Sequence, residues 1–325
     1  MPNLKSQFRP PLLVSNGHVQ TILGALLRRR HRIEFERERL ELLDGDFLDL
    51  DWARAGRKRL AILSHGLEGC SRNGYIRGLT ATLQREDWDA LAWNFRGCGS
   101  ESNRLPGFYH SGQTSDLSAV IAHAAHRYPK IALIGFSLGG NMTLKYLGEA
   151  PPHAAIVAGI AISAPVDLAA SARRLDQNPG NRIYLRRFMK TLVAKVEAKA
   201  LRFPAELDAT GARGIRTFAQ FDDRYTSRLH GFRDAADYWA QSSARQFLGN
   251  IRVPTLLLSA KNDPFLTPTC FPTAEAEANP RLFLEAPESG GHVGFLDFSH
   301  GLQPWSERRV VAFLRETSQG DRDAS

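Results

Sequence analysis

The chain has 325 residues, enough for one large α/β domain or two smaller ones, and its 43% hydrophobic and 23% charged content is that of an ordinary globular protein. Its formal net charge of +8 is spread over many arginines with one dense run, "RRRHR" (28–32), unaccompanied by a helix-turn-helix, a zinc finger or stacking aromatics, so nucleic acid is not an expected partner. Three widely separated cysteines (Cys70, Cys98, Cys270) without a Cys-x-x-Cys argue against a disulfide framework or zinc site and suit a reducing, cytoplasmic setting. No stretch approaches the ~18 apolar residues of a membrane span. The early apolar run "ILGALL" (22–27) is short and is followed, not preceded, by its basic cluster, so neither a secretory signal nor a transmembrane segment is expected. Weak association with an acidic membrane surface stays open.

After an arm (1–32), "RIEFERERLEL" and "DFLDLDW" alternate apolar and polar residues around Asp44-Gly45, which predicts an antiparallel hairpin. Short continuous apolar runs then recur at 59–66, 89–97, 130–137, 155–165, 254–260 and 281–287, as expected of strands buried on both faces of a parallel sheet. Helical patterns lie between them at 74–86, 114–128 and 138–150, and an amphipathic helix closes the chain at 304–316. Strand and helix alternating in this way predict a mostly parallel, doubly wound α/β sheet. Residues 167–250 break the rhythm, with helical stretches at 186–202 and 231–248 and no good strand. Such an insertion is expected to form a lid over the C-terminal edge of the sheet, where ligands bind in open α/β folds. The expected division is an arm (1–32), a core (33–166 and 251–317), a helical lid (167–250) and a disordered tail (318–325).

"GFSLGG" (135–140) contains Gly-x-Ser-x-Gly, a weak signal alone, but "KIALIGF" runs straight into Ser137 and a helix follows at once. That is the strand–turn–helix of a nucleophile elbow, in which Gly135 and Gly139 avoid a collision across the turn. A serine needs a base, and the base needs an orienting carboxylate, in the order Ser, acid, His on this type of sheet. His292 follows a strand and a loop, the position that returns a side chain over the elbow. His153, His230 and His300 are placed after the elbow helix, in the lid and on the surface. Asp263 ends a strand in "LLLSAKNDPF" and is the expected acid, with Asp167 the alternative. The backbone N–H groups of Leu67 and Leu138 are the expected oxyanion donors. His65 is expected to order the loop carrying Leu67. His110 and Arg96 are expected in structural hydrogen bonds rather than in the pocket lining. His18, in the first of two Gly-His-Val stretches, has no identifiable nucleophile or carboxylate partner and is assigned to packing.

"NGHVQTIL", "HGLEGCSRNGYIRGL", "WNFRGCGSESNRLPGFYHSG", "GFSLGGNMTLKYLGE", "FDDRYT", "LSAKNDPF" and "SGGHVGF" occur together in an order that resembles the YheT-like hydrolases, the fourth family of the AB hydrolase superfamily, over residues 8–316. The resemblance implies an α/β-hydrolase fold with a Ser-Asp-His relay at Ser137, Asp263 and His292. It also implies action on short- to medium-chain acyl esters, with a small-molecule ester as the partner. No cofactor and no metal are expected, "FDDRYT" included. An acyltransferase or ester synthase on the same triad, or a non-catalytic lipid- or acyl-binding protein, are the alternatives. Ser137 at the elbow excludes chemistries that require an aspartate there.

Overall fold

The computed structural model describes residues 3–28 and 32–320. Nine strands, counted among the described residues, form one sheet: β1 (Asn3–Leu4), β2 (Glu36–Glu41), β3 (Phe47–Ala53), β4 (Arg59–Ser64), β5 (Asp89–Asn94), β6 (Lys130–Phe136), β7 (Ile156–Ile162), β8 (Thr255–Leu258) and β9 (Leu282–Glu285). Their order is β1-β9-β8-β7-β6-β4-β5-β3-β2. Pairing is parallel from β1 to β5, while β3 runs antiparallel to both β5 and β2.

The continuous apolar runs reflect burial on both faces. Leu60 and Ile62 of β4 pack into one core layer, whereas Ala61 and Leu63, one residue out of phase, pack into the other. The first layer is covered by α3 (Thr114–Ala125) and α4 (Leu138–Glu149), the second by α2 (Gly74–Gln84) and α11 (Trp305–Gly320). The expected hairpin is present, and its buried acids have a reason. Leu48, Leu50 and Trp52 of β3 face the core, and the alternate residues Asp49 and Asp51 receive Arg39 Nε at 3.0 Å and Arg37 Nε at 2.8 Å from β2.

Between β7 and β8 the chain is helical: α5 (Leu168–Gln177), α6 (Arg182–Ala200), α7 (Phe218–Phe221), a π-helical turn (Asp222–Thr226), α8 (Ser227–Leu229) and α9 (Ala235–Ser242), then a 3-10 segment (Ala244–Asn250). The helix expected over 231–248 is split, because Asp234 caps α9 and Ser243 adopts an extended conformation. These helices share an apolar cluster of their own that includes Leu185, Met189, Val196, Phe221 and Trp239. A short helix, α10 (Thr273–Ala278), bridges β8 and β9.

The arm is more structured than a surface strap. It supplies β1, parallel to β9, and a helix, α1 (Gly17–Leu26), whose N-terminus is capped by the Asn16 side chain accepting from the N–H groups of His18 and Val19. α1 stops at Leu26, and Arg28, the first residue of "RRRHR", is buried with its guanidinium donating to the Gly24 and Val293 carbonyls. Residues 29–31 lie outside the described residues. In the expected tail (318–325), α11 continues to Gly320, and residues 321–325 lie outside the described residues.

Candidate active site

β6 feeds Ser137 directly into α4, and the turn between them is forced. Ser137 has φ 52° and ψ −117°, a left-handed backbone that a non-glycine residue adopts only under constraint. The neighbouring glycines are obligatory on steric grounds. A Cβ on Gly135 would stand 2.1 Å from the Gly139 carbonyl oxygen, and one on Gly139 would stand 2.5 Å from the carbonyl oxygens of Ser64 and His65. The Ser137 N–H donates to Ile162 O of the adjacent strand at 2.8 Å, which pins the turn to the sheet. Leu138 opens α4, so its N–H belongs to the first turn, which has no intrahelical acceptor.

The loop after β4 brings Leu67 to a cavity that Ser137 and Leu138 also line. His65 is a structural member of that loop. Its Nδ1 donates to Gly66 O at 2.8 Å, Nε2 accepts the Phe95 N–H at 3.1 Å, and burial pushes its pKa down to about 3, so the ring is neutral. At the next position Glu68 has φ 53°, and its N–H donates to Tyr109 Oη at 2.7 Å. Its carboxylate accepts from Tyr109 Oη at 2.8 Å and from Lys195 Nζ of α6 at 2.6 Å. Helix α6, from the segment between β7 and β8, thus holds the loop that presents Leu67.

Asp263 stands just beyond β8, 2% exposed, with one carboxylate oxygen accepting the Phe265 N–H at 2.9 Å and the other 2.8 Å from His292 Nδ1. The alternative acid, Asp167, is instead the N-cap of α5 and accepts from Ala170 N. His292 sits in a loop in which Gly290, Gly291, Val293 and Phe295 all have positive φ. Such a loop keeps its shape only if something outside it supplies the contacts, and α1 does so. The His292 N–H donates to Thr21 Oγ1 at 2.8 Å, and the Gln20 amide bridges both backbone groups of Leu296 at 2.8 and 2.9 Å. Val293 N–H donates to Ser163 Oγ at 2.9 Å. Gly291 lies so close to α1 that a Cβ there would be 2.4 Å from Gly17 O, and a Cβ on Gly24 would be 2.7 Å from Gly294 Cα.

The two Gly-His-Val stretches therefore pack against each other, one as helix and one as loop. His18 itself stacks on Tyr184 at 5.8 Å; Tyr184 meets Phe265 at 4.8 Å, and Phe265 meets His292 at 4.3 Å. Sequence reasoning missed Gln20, Thr21 and Ser163. Gly17 and Gly24, seven apart on one helix face, were the available signal for a close backbone approach.

Ser137, His292, Leu67 and Leu138 line one apolar cavity of about 110 Å³, roofed by Phe108, Phe188, Phe218 and Trp239 among others. His110 also lines it, against expectation, because its ring is turned among His230, Phe232 and Tyr238 at 4.5–5.7 Å. Burial holds His110 well below its ordinary value and His230 at about 4. Arg96 is structural as expected, clamping Asp116 through two hydrogen bonds of 2.7 and 2.8 Å and reaching Asp44 at 2.6 Å. His153 and His300 are exposed. Among the described residues no three His, Cys, Asp or Glu side chains are grouped as metal ligands, and no helix is long and apolar enough to cross a membrane.

The family described as alpha/beta hydrolase fold matches residues 62–299. The YheT protein of Escherichia coli is 36% identical over 95% of this chain and 93% of its own length. A monoacylglycerol lipase of Saccharomyces cerevisiae is 30% identical over 79% of this chain and 59% of its own length. Among solved structures, the Pyrococcus furiosus esterase Pf2001 superposes with a TM-score of 0.58 at 18% identity, covering 95% of this chain and 99% of that one.

Proposed function

The chain belongs to the α/β-hydrolase-fold family and within it to the YheT-like hydrolases, and from that premise we propose that it cleaves carboxylic esters of short- to medium-chain acyl groups through an acyl-enzyme on Ser137. The observation that carries this reading is the 2.8 Å contact of His292 Nδ1 with buried Asp263, with His292 and the strained Ser137 on the wall of one apolar cavity.

In the proposed reaction Ser137 Oγ attacks the ester carbonyl while His292 Nε2 takes its proton. Asp263 holds the ring in the tautomer with hydrogen on Nδ1 and stabilises the imidazolium that forms. The developing oxyanion is met by the N–H groups of Leu67 and Leu138, reinforced by the N-terminus of α4. Collapse breaks the C–O bond, and His292 returns the proton to the departing alcohol. Water, deprotonated by the same nitrogen, then releases the acid and regenerates Ser137 Oγ–H. The apolar cavity would take the acyl chain. A relative at 30% identity that carries the name monoacylglycerol lipase supports an ester bond as the scissile one.

Release of p-nitrophenol from butyrate and octanoate esters tests the proposal. Wild type should turn over, and Ser137→Ala should lose at least about 10³-fold in kcat. Equal rates for the two proteins would end this reading.

A further inference from the structure

The cavity beside Ser137 is walled by aromatic rings, yet it contains a carboxylate: Asp222 lines it and is 8% exposed. The backbone takes an unusual route there. Asp222–Thr226 form a single π-helical turn wedged between α7 and α8, the kind of insertion that re-aims side chains and recurs at functional sites. One Asp222 oxygen accepts from Thr226 Oγ1 at 2.7 Å, the other from Trp239 Nε1 at 2.8 Å. Neither donor is charged, and the charge that Asp222 feels most is the repelling one of Asp176.

A buried carboxylate facing only neutral donors is costly. An asparagine could join Trp239 to the π-helical turn at less cost, so tethering alone does not account for an acid. What the acid adds is an anionic acceptor with unfilled lone pairs, two of about four being used. It faces the cavity that also holds the nucleophile.

We propose that Asp222 is a substrate-recognition group, and that the acyl pocket binds a chain carrying a hydrogen-bond donor, a hydroxyl or an ammonium, at the point where it reaches the π-helical turn. This rests on the ester-cleaving reading of Ser137. The rings of Phe221 and Trp239 would flank the methylenes, and the donor would take the open lone pairs of Asp222.

The test compares kcat/KM for p-nitrophenyl hexanoate, octanoate and decanoate with that for the corresponding ω-hydroxy and ω-amino esters. At one chain length an ω-substituted ester should exceed its plain counterpart by about tenfold, the factor expected of one hydrogen bond to a charged acceptor. Which arm responds identifies hydroxyl or ammonium. The same ratio in Asp222→Asn should fall to about one or below. Plain esters preferred by wild type at every length would overturn the proposal, as would an undiminished ratio in Asp222→Asn. The wild-type series stands whether or not the variant folds. If no ester is cleaved at all, the proposed function fails separately. Calorimetric titration of Ser137→Ala with methyl octanoate and its ω-hydroxy analogue then decides the inference: equal affinities refute it, and tighter binding of the analogue upholds it.

Discussion

Replacing Asp222 by asparagine should stabilise the protein in a pH-dependent way. Burial is the main cause that raises this carboxyl from an ordinary 3.8 to about 6, and its hydrogen bonds from Thr226 and Trp239 recover only part of the lost hydration. A rise of about two pH units at 1.36 kcal/mol each means that ionising Asp222 costs the folded protein about 3 kcal/mol more than the unfolded chain. The sign follows from the direction. Below pH 4 both states are protonated and the cost is absent; between pH 4 and 6 the unfolded chain ionises first, and above pH 6 the whole cost is present. Asparagine is neutral throughout and can keep both contacts, its Oδ1 accepting from Trp239 and its Nδ2 donating to Thr226 Oγ1. The Asn variant should therefore match wild type near pH 4 and exceed it by about 3 kcal/mol at pH 8, or about 4 °C in Tm for a chain of this length at about 2.1 cal/mol/K per residue. Urea unfolding at pH 4, 6 and 8 measures it. A difference independent of pH, or a variant less stable at pH 8, would refute the placement of an ionised carboxylate with only neutral donors in the helical segment between β7 and β8.

Three further outcomes are expected. Thr21→Val removes the acceptor of the His292 N–H and should lower kcat by roughly ten- to a hundredfold with KM nearly unchanged; Thr21→Ser should restore it, and a valine variant with full kcat would contradict the role of α1. Lys195→Met leaves the Glu68 carboxylate without its cation and should cost about 2–3 kcal/mol in urea unfolding, a loss that adding Glu68→Gln largely reverses; no reversal would mean that the pair is not what couples α6 to the loop. Gly139→Ala places a Cβ 2.5 Å from two carbonyl oxygens and should cost more than about 4 kcal/mol, seen as loss of soluble protein; a wild-type Tm would show that the elbow is looser than its contacts imply.

Strand runs buried on both faces, helices between them and Gly-x-Ser-x-Gly at a strand end were legible because each is written in local spacing. Asp263 and His292 could be named as candidates from their order after Ser137, since each follows a strand that ends at the same sheet edge, and the two stand 2.8 Å apart. The π-helical turn was not legible, because the helices on either side of it, Phe218–Phe221 and Ser227–Leu229, are too short to establish an apolar period that an added residue could shift. Nor was the burial of Asp222, which depends on α9 bringing Trp239 against "FDDRYT".

The sequence alone determined the sheet, the elbow turn and the order of the candidate side chains along the chain, for steric rules at glycine and the alternation of strand faces act within a few residues. What surrounds those side chains was decided by tertiary structure. The His292 loop keeps its positive-φ geometry because an N-terminal helix some 270 residues away in the chain supplies Thr21 and Gln20 to its backbone. The two Gly-His-Val stretches look alike in sequence, and one carries the proposed base while the other braces it, a division that exists only where glycine lets the two backbones meet.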